Sequence, residues 1–149
     1  MLSDAAVYAV GLYAVGRAAS VKINAAFLSG VFQIVLAMGV ASEIARRLIW
    51  ENEPEPLFMI GIGFVALIAN IVCLALISKH RDGEIHMRAS WIFSKNDVIA
   101  NSGVILAGVL VHVLDSRLPD LVIGTLIVLI VFRGGITIIT DARHEREKA

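Results

Sequence analysis

Asp97 and Asn101 stand four residues apart in the stretch WIFSKNDVIANSG, residues 91–103, with Phe93 four residues before Asp97. On a helix this spacing stacks the three side chains on one face. A carboxylate with an amide one turn away offers hard oxygen ligands to a divalent cation, and the same carboxylate can take up a proton when the cation leaves. Neutralising a divalent ion takes a second carboxylate, and Asp4 in MLSD is the candidate for it. Asn96 and Asn70 are further amides in apolar surroundings. They read either as ligands or as interhelical hydrogen-bond partners, a role worth about 0.6 kcal/mol on average in membranes. Lys95, two residues before Asp97, is rotated about 160° from it around the helix, which takes it out of pairing range. Its long stem instead lets the ammonium reach toward the end that carries Arg88.

These groups need an element to hold them, and the composition says what it is. Of 149 residues, 58% are hydrophobic and only 17% charged, with a mean hydropathy of +0.81. That is a membrane protein rather than an average soluble domain. Lys plus Arg equals Asp plus Glu, at 13 each, so overall charge gives no reason to expect nucleic acid. Apolar runs long enough to cross the hydrocarbon core lie at about 24–48, 57–78, 90–113 and 119–140. A shorter run at about 4–19 has its apolar part within residues 4–16, and those reach only some 20 Å against a core of about 30 Å. It reads as the second half of a spanning helix. The expected fold is an all-α transmembrane bundle over residues 1–142, with four full spans and one short N-terminal helix, followed by a short charged tail at 143–149.

The connections alternate in charge. Arg17 and Lys22 come first, then ENEPEP with Glu51, Glu53 and Glu55, then KHRDGEIHMR, then LDSRLPD, then a tail with Arg143, Arg146 and Lys148. Basic residues near helix ends favour the cytoplasm, which places the first, third and fifth connections there, and the C-terminus with them. ENEPEP reads as a solvated turn whose prolines stop the preceding helix.

Other ionisable residues in the spans have plainer readings. Glu43 sits three and four residues before Arg46 and Arg47 and is expected to pair along its own helix. Arg133 in LIVFRGG is expected in an intrabundle salt bridge or reaching for the interface, with Gly134 and Gly135 admitting a neighbouring helix. His112 lies near a helix end, where an imidazole needs no special function. The single cysteine, Cys73, rules out an internal disulfide and reads as a small buried hydrophobe.

At HMRASWIFSKNDVIANSGVILAGVLV and LPDLVIGTLIVLIVFRGGITII, the sequence resembles the cation diffusion facilitator family, closest to bacterial members whose fifth helix carries an Asn-Asp pair. The resemblance extends from LSDA to TDA. It implies a homodimer of six-helix subunits that binds zinc, cobalt, cadmium, iron or manganese at midplane between the second and fifth helices. On that match the chain starts partway through the second helix, and the four long spans are helices three to six. Asp97 then matches the acid that ends the fifth-helix motif, and Asp4 the second acid of the second-helix pair. Phe93 stands where the motif commonly has histidine, which leaves an oxygen-rich set that suits harder ions less selectively. The partner acid of Asp4 falls before Met1.

The function expected is export of a divalent metal cation in exchange for protons, by alternating access, across a bacterial inner membrane. Asp97 and Asp4 would coordinate the ion, with Asn101 and Asn96 as further ligands or orienting groups. No bond-making enzymatic activity, resident cofactor or nucleic-acid partner is expected. The alternative is a non-transporting membrane protein that dimerises or scaffolds a partner.

Overall fold

The computed structural model describes residues 2–50, 54–78 and 83–148, without the side chains of residues 2–5. The carboxyl group of Asp4, Glu51 and Glu53 of the acidic turn, and Lys79 and Arg81 of the basic connection lie outside the described residues. Five helices follow one another: α1 (Leu2–Ala14), α2 (Ala19–Trp50), α3 (Pro56–Ser78), α4 (Ile85–Leu114) and α5 (Leu118–Lys148). Four of them, α2 to α5, are long and apolar enough to cross a membrane, and α1 is the short fifth element. The described residues contain no strand.

The helix ends follow from local chemistry. After α1 the chain turns at Gly16 with φ 71°, a left-handed conformation that glycine adopts without a Cβ clash. Pro56 opens α3, where its missing N–H costs little. At the end of α4, Asp115 takes φ 47° and ψ 45°, a conformation in which aspartate is one of the tolerated non-glycine residues. The bounds differ from the sequence expectation mostly at polar ends. α4 starts at Ile85 rather than near 90, and α5 continues to Lys148 through residues expected to form a tail. That extension is supported by i,i+3 contacts, His144 to Glu147 at 3.8 Å and Lys148 to Glu145 at 3.9 Å. Arg146 also donates to the Asn24 amide oxygen of α2 at 2.7 Å.

Packing runs in two pairs, α2 on α5 and α3 on α4, with α4 also against α5 and α2; α1 rests on α2 and α4. Glycine sets the closest approach. A Cβ on Gly30 would meet Ile139 Cγ1 at 2.7 Å, and one on Gly135 would meet Ile34 Cγ1 at 2.7 Å, each also 3.1 Å from the other's carbonyl oxygen. Small residues of this kind let membrane helices gain dispersion contact where no hydrophobic drive exists between them. Phe93, Val7, Ile23, Ala26, Ala89, Ile138 and Ala142 form one apolar cluster across α1, α2, α4 and α5.

The distribution of polarity is inverted relative to a soluble protein. Among the residues of α3 only Gly63 and Asn70 are buried, while Leu57, Phe58, Ile62, Val65 and Leu76 point outward, each at least 63% exposed. Buried positions elsewhere include Ser29, Gln33, Ser90, Ser94 and Asn96. Lipid as solvent accounts for this pattern, since apolar side chains gain nothing by leaving it and polar ones do.

Candidate metal centre in the α4 region

Asp97 lies near the middle of α4, partly buried, with its Oδ2 shielded from the surface. One turn on, Asn101 donates its amide N–H to the Asp97 main-chain oxygen at 2.9 Å. Its NH2 group is thereby committed to the helix, and the atom it has to offer a cation is the carbonyl oxygen. One turn earlier, Phe93 is fully buried in the apolar cluster. The position that an imidazole would need is thus occupied by a packing anchor.

The Tyr8 hydroxyl of α1 and Ser94 Oγ of α4 form a hydrogen bond of 2.9 Å, and Asp97 lies within electrostatic range of the Tyr8 phenol. Asp4 stands four residues before Tyr8 in the sequence. Sequence reasoning did not single out the Tyr8 and Ser94 pair. The available signal was a phenol inside an apolar helix, which in lipid demands a partner.

The remaining expected residues separate from this site. Asn96 is 7% exposed and its amide lies against Gly134 of α5, a different direction from that of Asp97. Asn70 is buried on α3. Lys95 is exposed, its ammonium 5.3 Å from the Trp91 ring centroid, one turn toward the end that carries Arg88. Arg133 is exposed on the outer side of α5, which corrects the expectation of a salt bridge inside the bundle: the α5 face turned inward there is Gly134 and Gly135, too close to α2 and α4 for a long side chain. His112 is exposed beside Asp115 at the rim. Glu43 pairs with Arg46 at 2.6 Å and Arg47 at 3.1 Å along its own helix. Arg47 reaches further, to Asp120 of α5 at 2.5 Å.

Two clefts lie along α4, one on each side of the level of Asp97 in the chain. The first, of about 400 Å³, has Arg47 and Glu55 among its lining residues and reaches Asn101 and Val104 between α3 and α4. The second, of about 290 Å³, lies between α1, α3 and α4, with Tyr8, Cys73, Met87 and Ser90 on its walls. Among the described residues no three His, Cys, Asp or Glu side chains gather into a ligand set. The side-chain oxygens on this stretch of α4 and on the facing part of α1 are the Asp97 carboxylate, the Asn101 carbonyl and the Tyr8 and Ser94 hydroxyls. These are hard donors, consistent with the absence of imidazole at position 93.

Residues 2–145 match the protein-family model described as the cation efflux transmembrane domain. No curated protein matches the chain at a significant level.

Proposed function

The chain belongs to the cation efflux family, and from that premise we propose that it exports a divalent metal cation, zinc, cobalt, cadmium, iron or manganese, in exchange for protons. The observation that carries the reading is the place of Asp97 on α4 between two clefts, one ending at Asn101 and the other walled by Tyr8 and Ser90. Alternating access needs a site that can be reached from either end but not from both at once, and a carboxylate at that level gives the ion its counter-charge.

In this mechanism Asp97 and Asp4 coordinate the cation, Asn101 supplies a carbonyl oxygen, and Asn96 orients the helix. Protonation of the same carboxylates discharges the ion on the far side, and their deprotonation on the near side restores the site. The tyrosine and serine hydroxyls fix α1 against α4, which keeps the two acid-bearing helices in register. The basic connections support a cytoplasmic C-terminus, in a bacterial inner membrane, with two copies of the chain forming the working unit.

The test is flux in metal-loaded vesicles carrying the wild-type chain or Asp97→Ala. Proton-coupled flux that disappears in the variant is the expected result. Equal flux from both would remove Asp97 from the mechanism, and no flux from either would favour the scaffold reading.

A further inference from the structure

Gln33 of α2 is 1% exposed, and neither its Nε2 nor its Oε1 has a hydrogen-bond partner among the described residues. The same holds for Nδ2 of Asn96, on α4. Both amides reach the space over Gly134 of α5. A Cβ there would stand 1.9 Å from Asn96 Nδ2, 3.0 Å from its Cγ and 3.1 Å from Gln33 Nε2. Three helices thus bring the Gln33 amide and the Asn96 NH2 group, buried and without partners, together at a spot where the missing Gly134 side chain makes room for the Asn96 amide itself.

Buried amides are rarely left unpaired, because the desolvation of each N–H and C=O must be offset. Two amides carry four N–H donors and two carbonyl acceptors between them. A cation held there without a carboxylate would leave a net charge inside the bundle. A neutral ligand that both donates and accepts fits, and water does so with two to four bonds per molecule. We propose that the Gln33 and Asn96 amides share an internal water beside Gly134, which ties α4 to the α2 and α5 pair. Gln33 and Asn96 are then positioning residues, holding the helix that carries Asp97 through a bridge that can re-form after a small shift of α4. The site stands independently of which ion, if any, the chain carries.

The test is nuclear magnetic resonance of the full chain in lipid nanodiscs with its asparagine and glutamine side chains labelled. The side-chain N–H protons of Gln33 and Asn96 should show cross-relaxation to water of the sign expected for a long-lived internal molecule. Gln33→Met, which keeps the volume, should abolish the signal at Asn96. The proposal is overturned if neither amide sees water in the wild-type chain, or if the two amides are bonded directly to each other. It is equally overturned if the Asn96 signal survives Gln33→Met unchanged.

Discussion

Arg47→Ala should destabilise the bundle more than Asp120→Ala, although the two residues share one ion pair. The pair joins α2 to α5 at 2.5 Å, with side chains 26% and 11% exposed. It therefore lies between an exposed pair, worth about 0.2–1 kcal/mol, and a fully buried one, whose one-sided removal costs about 3–5 kcal/mol. Removing Arg47 leaves the less exposed Asp120 carboxylate without its cation, and we expect a loss of about 2 kcal/mol, within the range for hydrogen bonds to charged groups. Removing Asp120 leaves Arg47 still bonded to Glu43 at 3.1 Å, so the loss should be nearer 1 kcal/mol. Glu43→Ala should cost the least, since Arg47 keeps Asp120 and Glu43 is the more exposed carboxylate. Reversible unfolding of the three variants in mixed micelles, titrated with a denaturing detergent and followed by helical circular dichroism, gives the order directly. An Asp120→Ala loss equal to or greater than that of Arg47→Ala would refute the assignment of Arg47 as the hub.

Tyr8→Phe removes the bond to Ser94 and should cost about 0.5–1.5 kcal/mol by the same titration; a neutral result would mean that the hydroxyls do not hold α1. Gly135→Leu should separate α2 from α5, because even a Cβ at that position meets Ile34 and the Gly30 carbonyl; crosslinking yield between cysteines placed on α2 and α5 should fall, whereas Gly39→Ala, in open space, should leave it unchanged. At the other end of the bundle Lys22 donates to Glu84, and this bond holds the Glu84 carboxyl below its ordinary value of 4.5. A lowered carboxyl stabilises the fold fully above that value, and the contribution is lost as pH falls below it toward the folded one. Protection of the first turn of α4 against hydrogen exchange, taken relative to the intrinsic rate at each pH, should accordingly fall below about pH 4.5 in the wild-type chain, and Lys22→Met should remove that acid dependence.

The spans and the short first helix were legible because hydrophobic run length is a local property, and Asp97 with Asn101 was legible because a four-residue spacing is local too. Glu43 with Arg46 and Arg47 belongs to the same class. What sequence reasoning could not reach depended on which helix faces which. Arg47 and Asp120 are 73 residues apart, and Tyr8 and Ser94 are 86 apart. Gln33, a lone amide in VFQIVL, carried a signal of its own, but nothing in the sequence says that its neighbour is Asn96. For Arg133 the sequence left a salt bridge inside the bundle and a reach for the interface both open for the same reason: one run of residues supplies both the glycines that face inward and the cation that faces out.

The inverted polarity of α3 sets how this helix can change over generations. Its outward-facing bulky residues, Leu57, Val65 and Leu76 among them, which in a water-soluble protein would be the immovable ones, face the lipid side and can exchange among leucine, valine, phenylalanine and isoleucine with little effect. Gly63 and Asn70, the small and the polar, are the fixed points. A survey of variation along α3 should therefore find constancy where volume is least, and drift where it is greatest.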